Sequence, residues 1–426
     1  EEKSVVDGFK IKGKNSLNGT IKVSGAKNAA LPILIGTLVA EGEYILRNVP
    51  NLRDIRVTMK LLEDLGMKTE KLDETTYKIV NEGFKRNEAS YEIVKQMRAS
   101  FLVMGPMIAN LDETVVSLPG GCAIGSRPVD LHLKGFELLG AEITRIHGYV
   151  HAKSDNLKGS EIPLGFPSVG ATQNIMMAAV KIPGKTIISN AAREPEIVDL
   201  GNFLIKMGAK IKGLGTTRIE IEGVKDLHAV EYSIMPDRIE AGTYVIASLI
   251  TEGDLKIQDA RLDDLGEFKS DLEKMGVKFK EEGNILTVKG NLKELKPCNV
   301  KTLPHPGFPT DMQPQMMLLQ TLVNGTSTME ETVFENRFMH VPEFNRMGAD
   351  IMIKRGIAVI NGGVSLTGAA VMSSDLRAGA ALVLAGLAAE GETIVNRVYH
   401  IDRGYDRLEA KLNAVGADIQ RIKLDI

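Results

Sequence analysis

Residues 119–132 read PGGCAIGSRPVDLH, a glycine-rich segment that carries a thiol and, five residues later, a guanidinium. Gly120, Gly121 and Gly125 leave the backbone free to bend. Cys122 among them has little apolar packing, and Arg127 favours its thiolate. Such a thiol can hand over a proton or attack an electrophile. A lone cysteine is more often a small buried hydrophobe, and that reading suits Cys298 in KPCNV. It suits Cys122 poorly, because polar, flexible loops seldom build cores.

A second set of polar residues stands in front of a series of apolar segments: Ser24, Lys27 and Asn28; Arg98 and Ser100; Ser168 and Thr172; Asp237 and Arg238; Thr310 and Asp311; Ser374, Asp375 and Arg377. Ser, Thr, Asp and Asn at such places cap helices by accepting orphan amide hydrogens. Capping does not account for Lys27, Arg98 or Arg377, since a cation at a helix N-terminus opposes the macrodipole. An anion in front of the helix satisfies amides and cation together. SVGATQ at 168–173 adds a helix start of small residues, where backbone amides can approach phosphate oxygens closely. The chemistry expected is the gripping of phosphate or carboxylate groups beside a reactive thiol.

The scaffold that must position these groups is a repeat. LLEDLGMKT, FELLGAEIT, FLIKMGAKI, LEKMGVKFK, FNRMGADIM and LNAVGADIQ place their glycine at 66, 140, 208, 276, 348 and 416, a period of about seventy residues. Each phrase predicts an amphipathic helix stopped by glycine and followed by a strand. Between them recurs an apolar helix of about ten to fourteen residues, a turn and a short β-branched strand, as in LPILIGTLVAEGEYILRN and GAALVLAGLAAEGETIVNR. FLVMGPMIANLDETVVSLP fits this second pattern least well. Helices apolar nearly all round belong inside, with the amphipathic ones covering them. The fold class is α/β with six units, divided three plus three near MPDRIE at 235–240, where Pro236 discourages helix before it.

A net charge of -3 gives no general basic surface for nucleic acid, and with no Trp and 5% aromatic residues base stacking is poorly served. Two cysteines make no disulfide framework, and no apolar run is long enough for a bilayer. A cytoplasmic protein without nucleic-acid or membrane partners is expected. GFKIKGKN at 8–15 lacks the Ser/Thr of a phosphate-binding P-loop, and no GxGxxG opens a helix after a strand. The histidines show no paired-ligand spacing, so neither a metal nor a cofactor is expected. His132, His305, His340 and His400 read as hydrogen-bonded structural residues.

Long segments resemble the UDP-N-acetylglucosamine 1-carboxyvinyltransferase family, enolpyruvyl transferases that open bacterial peptidoglycan precursor synthesis. They are SGAKNAALP at 24–32, MRASFLVMGP at 97–106, PGGCAIGSRPVDLH at 119–132, AAREPEIVDL at 191–200, PDRIEAGT at 236–243, FPTDMQPQ at 308–315, ETVFENRFMHVPE at 331–343, SSDLRAGAALVLAG at 373–386 and YHIDRGYDRLE at 399–409. The resemblance implies a two-domain inside-out α/β barrel, with residues 27–235 as one three-unit domain and 1–26 with 236–426 as the other. It implies an active site in the cleft between them, and crossovers near 23–27 and 233–237.

The resemblance also implies the reaction: enolpyruvyl passes from phosphoenolpyruvate to the 3′-hydroxyl of UDP-N-acetylglucosamine, and phosphate leaves. Lys27, Arg127 and Arg403 match the cations for phosphoenolpyruvate. Cys122 matches the loop residue that gives a proton and can be alkylated by an epoxide phosphonate. Asp311 matches the carboxylate beside the sugar hydroxyl. Asn28, Arg98, Arg127, Pro128, Val129, Asp130, Leu131, Ser168, Val169, Gly170 and Val333 match positions that hold the UDP-sugar, and Arg337, Asp375 and Arg377 line the site. Phe166-Pro167 stands where other branches carry a lysine for the nucleotide, leaving that contact to backbone amides. Two alternatives stay open: the related 3-phosphoshikimate 1-carboxyvinyltransferase, and a non-catalytic UDP-sugar-binding paralogue.

Overall fold

The six repeat glycines all take a positive φ: 111° at Gly66, 104° at Gly140, 108° at Gly208, 104° at Gly276, 104° at Gly348 and 116° at Gly416. Each closes the same helix stop. The glycine amide bonds the carbonyl three residues back, and the next amide bonds the carbonyl five back, as in Gly66 to Glu63 and Met67 to Leu62. A side chain at such a φ is strained. Gly348→Ala, whose new methyl would meet nothing nearer than Ser365 O at 3.6 Å, isolates that strain. It is expected to cost about 1–3 kcal/mol. Gly140→Ala is expected to cost more, because its methyl would stand 2.8 Å from Asn156 O. Urea unfolding checks both, and a Gly348→Ala protein as stable as the parent would show that the positive φ carries no weight there.

The computed structural model describes residues 4–120 and 129–425. Twelve helices follow a strict alternation of buried and covering. They are α1 Lys27–Gly36, α2 Arg53–Asp64, α3 Met104–Asn110, α4 Asp130–Leu138, α5 Val169–Ala179, α6 Pro195–Lys206, α7 Arg238–Ile250, α8 Glu267–Met275, α9 Gln313–Leu322, α10 Val341–Arg346, α11 Leu376–Ala388 and α12 Leu408–Asn413. The odd-numbered helices are the apolar ones; every residue of α7 and all but Leu376 of α11 are buried. The even-numbered ones carry one buried stripe, such as Phe268, Asp271, Leu272 and Met275 of α8. Among the buried helices α3 is the short one. Pro106 cannot donate to the carbonyl of Leu102, and the turn before it is the 3₁₀ helix Arg98–Val103.

Each helix pair goes with one four-stranded mixed sheet, and there are six such sheets among the described residues. The chain divides into two compact units, meeting at 24/25 and 235/236. One holds three sheets and a core running from Ala26 to Met235. The other holds three sheets and a core running from Phe9 to Val23 and from Ile239 to Ile419; in it α7, α9 and α11 pack against one another.

In four repeats the edge strand before a buried helix pairs in parallel with the strand after it: Glu88–Ala89 with Glu113–Ser117, Glu161–Pro163 with Lys185–Ser189, Val300–Lys301 with Gly325–Glu330, and Ala370–Met372 with Glu392–Asn396. The other two repeats exchange these strands. Asn18–Lys22 precedes α1 but pairs with Asp254–Gln258 after α7, whereas Glu231–Ser233 precedes α7 but pairs with Gly42–Arg47 after α1. Buried carboxylates hold the chain where it leaves each exchanged strand. Glu240 Oε2 accepts the Ser24 amide at 2.9 Å, and its Oε1 takes Tyr244 and Lys411 at 2.6 and 2.7 Å. Asp199 Oδ2 accepts the Met235 amide at 3.1 Å, and its Oδ1 takes the Tyr232 hydroxyl at 2.6 Å.

Candidate active site

In the unit built from residues 25–235, Lys27 is the first residue of α1, directly after the exchanged segment. Its Nζ lies 2.8 Å from Asp54 Oδ2 at the start of α2, and the Asp54 side chain is 1% exposed. Asp54 therefore aims the lysine while its own charge favours the N-terminus of α2. Asn28 beside it is exposed. Arg98 is half-buried and opens the 3₁₀ helix that leads into α3. Ser168 caps α5, its Oγ accepting the Ala171 amide at 3.2 Å, and Val169 on the first turn is 37% exposed. Val129 is buried at the start of α4, Leu131 is half-buried, and exposed Asp130 pairs with Arg145 at 2.6 Å. Cys122, Arg127 and Pro128 lie outside the described residues.

His132 of α4 joins these starts. Asn174 Oδ1 takes the Gly105 amide at 2.7 Å, so its Nδ2 is the end that reaches Phe101 O at 3.2 Å and His132 Nδ1 at 3.0 Å. Nδ1 thus accepts, and the ring proton sits on Nε2. Gly170 lies close beside the ring, where a Cβ would stand 3.0 Å from Cε1 and press on it.

In the other unit Asp311 is the centre. Arg337 Nη1 lies 3.0 Å from Oδ1 and Arg377 Nη2 lies 3.6 Å from Oδ2. Both arginine side chains are at most 5% exposed, while Asp311 is 29% exposed. Burial works to raise the Asp311 pKa, but Arg377 and Arg337, with Arg238 adding, outweigh it and hold the carboxyl well below the usual carboxylate range. Arg377 lies over the Tyr405 ring, 5.6 Å from its centre, and Tyr405 shares a 2.8 Å hydrogen bond with Thr243. Asp375 caps α11, accepting the Arg377 and Ala378 amides at 2.9 and 3.0 Å. Val333 gives its amide to Glu331 at 2.9 Å. Arg403 follows the one-turn helix Tyr399–Asp402, whose Asp402 is clamped by Arg421 at 2.7 and 3.0 Å.

Among the polar helix starts, capping explains Ser168, Asp237 and Asp375. Ser24 Oγ instead takes Lys411 Nζ at 2.6 Å, and Thr310 bonds Glu331. Asp54, Glu331 and Arg421 escape a sequence reading. Asp54 and Glu331 look there like ordinary surface acids, and their partners lie 27 and 21 residues away.

His132 and His340 are both buried and neutral. Burial, with the Arg98 charge adding, pushes His132 down to about 4 from an ordinary 6.5. Burial, opposed by Asp375 and helped by Arg337, pushes His340 down to about 3. As pH falls below 6.5 the unfolded chain takes up these protons first, so stability is full above that pH and declines below it. The expected slope between pH 6 and 4.5 is up to about 1.4 kcal/mol per pH unit for each histidine. Urea midpoints across that range check it, and His340→Gln should flatten the line.

Among the described residues no group of His, Cys, Asp and Glu could hold a metal ion, and no helix is long and apolar enough to cross a membrane. The sequence profile of EPSP synthase (3-phosphoshikimate 1-carboxyvinyltransferase) matches residues 11–412. The chain is 55% identical over 413 residues to UDP-N-acetylglucosamine 1-carboxyvinyltransferase 1 of Caldanaerobacter subterraneus subsp. tengcongensis, covering 97% of this chain and 99% of that one. It is 54% identical over 416 residues to UDP-N-acetylglucosamine 1-carboxyvinyltransferase 2 of Carboxydothermus hydrogenoformans, with 97% and 99% covered. The fold is that of the enolpyruvyl transferase NikO from Streptomyces tendae, with a TM-score of 0.90 at 23% identity over 99% of this chain and 100% of that one. The chain belongs to the EPSP synthase family and, within it, to the UDP-N-acetylglucosamine 1-carboxyvinyltransferases.

Proposed function

We propose that this protein transfers the enolpyruvyl group of phosphoenolpyruvate to the 3′-hydroxyl of UDP-N-acetylglucosamine and releases phosphate. Family membership supports the reaction, and one observation carries the site. Asp311 sits against two buried guanidiniums, and each of these keeps a buried N–H, Nε of Arg337 and Nη1 of Arg377, without a hydrogen-bond partner among the described residues. Buried donors of that kind are costly unless a ligand with several oxygens completes them.

The sugar oxygen adds to C2 of phosphoenolpyruvate as its proton passes to Asp311, and C3 takes a proton from Cys122. The product is a tetrahedral ketal. The C2–O bond to phosphate then breaks as C3 gives a proton back, leaving the enol ether and inorganic phosphate. Lys27, Arg127 and Arg403 hold the phosphate and carboxylate of the donor and stabilise the charge that develops. Asn28, Arg98, Arg127, Pro128, Val129, Asp130, Leu131, Ser168, Val169, Gly170 and Val333 hold the sugar nucleotide, while Asp375 places Arg377 through the cap of α11. A substrate oxygen that completes the open N–H groups of Arg377 and Arg337 shares out the positive field that depresses Asp311, and so restores some of its basicity. We place the reaction in the cytoplasm, as the entry to peptidoglycan precursors and so to cell shape and division.

Phosphate release measured with both substrates tests the reading. Release that depends on UDP-N-acetylglucosamine supports it. Release with shikimate 3-phosphate alone would make the protein a 3-phosphoshikimate transferase, and sugar-nucleotide binding without release would make it a sensor.

A further inference from the structure

Glu331 follows the strand Gly325–Glu330 and gathers five donors on one carboxylate. Oε2 accepts the amides of Val333 and Phe334 at 2.9 and 3.3 Å and the Thr302 hydroxyl at 2.7 Å. Oε1 accepts the Thr310 hydroxyl at 2.7 Å and Gln313 Nε2 at 3.3 Å. From there two paths lead to Arg337. Gln313 Nε2 also bonds Arg337 O at 2.7 Å, and Arg337 Nη1 donates to Thr310 Oγ1 at 2.9 Å while it contacts Asp311 at 3.0 Å.

The direction of this chain is fixed by chemistry. A guanidinium only donates and a carboxylate only accepts. Thr310 must therefore offer its lone pair to Arg337 and its proton to Glu331. Remove the carboxylate, and the hydroxyl has no fixed orientation; remove the hydroxyl, and Arg337 loses a neighbour that keeps it on Asp311. Arg337 is 3% exposed, so solvent does not replace what is lost.

We propose that Glu331 is a positioning residue with two branches: through Thr310 it sets Arg337 on Asp311, and through the amides of Val333 and Phe334 it sets the turn presented to the sugar nucleotide. This rests on the proposed transferase reading. It assigns the two branches different kinetic roles, which a merely structural carboxylate would not have.

Thr310→Val removes the hydroxyl at nearly constant volume and touches the first branch alone. It is expected to lower kcat about tenfold to a hundredfold while the KM for UDP-N-acetylglucosamine moves less than about threefold. Thr310→Ser restores the relay and should stay within about threefold of the parent in both constants. Glu331→Gln presents an NH2 to at least one donor in either orientation, so it should lower kcat and raise that KM together. A parental kcat for Thr310→Val, or a Thr310→Ser protein as impaired as Thr310→Val, overturns the proposal. The crystal structure of Thr310→Val decides it without any assay. Arg337 Nη1 moved out of ion-pair distance of Asp311 supports it, and Arg337 unmoved at 3.0 Å overturns it. A parent protein that releases no phosphate with the sugar nucleotide would instead remove the transferase reading, with that crystal still deciding the placement of Arg337.

Discussion

Asp311→Asn should lower kcat by about 10²–10⁴-fold, the range associated with losing a general base. Asparagine keeps the shape and one oxygen, so the KM for the sugar nucleotide should change far less than kcat. The substitution also leaves Arg337 and Arg377, both nearly buried, without their carboxylate. The fold should lose about 1–3 kcal/mol, below the range for a fully buried pair because Asp311 keeps some contact with solvent. Phosphate should recover part of that loss by occupying the two guanidiniums, which thermal unfolding with and without phosphate would show. In the parent, the depressed Asp311 pKa stabilises the fold above the usual carboxylate range, and this is lost as pH falls through the folded value. The variant should lack that part of the acid limb. An unchanged kcat would remove Asp311 as the base.

Cys122→Ala should lower turnover by a similar factor, about 10²–10⁴-fold, because the carbon that must be protonated loses its acid. Stability should hardly change, since the sequence around Cys122, PGGCAIG, is rich in glycine and poor in large apolar side chains that could pack. The sharper measurement is an intact-mass shift after treatment with an epoxide phosphonate. Cys298 is the internal control: burial, with Asp271 adding, pushes its thiol up, and its Sγ lies against Asn299 O at 3.5 Å. One adduct, on Cys122 and absent from Cys122→Ala, is the expected result. An adduct on Cys298, or turnover in Cys122→Ala equal to the parent, would sink the assignment.

The six-fold architecture was legible because its signal is local. A glycine at the end of an amphipathic stripe has one physical reason to be there, and Gly66, Gly140, Gly208, Gly276, Gly348 and Gly416 all share the same φ range and the same pair of closing bonds. The apolar helices were legible for the same reason, and the weakest match, around Met104, is the one that Pro106 shortens. Lys27, Arg98 and Arg377 stood out because a cation conflicts with what a helix start needs. Asp311, by contrast, looked like any acid at a helix start and drew its role from the family resemblance. What fixes them in place did not stand out. Asp54, Glu331 and Arg421 act on residues distant in sequence, and a carboxylate that accepts five hydrogen bonds reads in sequence like one that accepts none. Nor could composition reveal the exchanged edge strands, since Asn18–Lys22 and Glu231–Ser233 look like any other short strand before a buried helix.

That exchange, together with the distant pairing of Val5–Lys12, has a cost in time. Val5–Lys12 finds both neighbours only in Glu392–Asn396 and Asp418–Asp425, and Asn18–Lys22 waits for Asp254–Gln258. On the ribosome the first two strands emerge long before any edge exists to receive them. Their native partners are missing while the intervening unit is made, and the last sheet is complete only when synthesis has reached Asp425. Loop closures of that span are slow, so the nascent chain carries two orphaned strands through most of its manufacture, the interval in which a chaperone has most to protect.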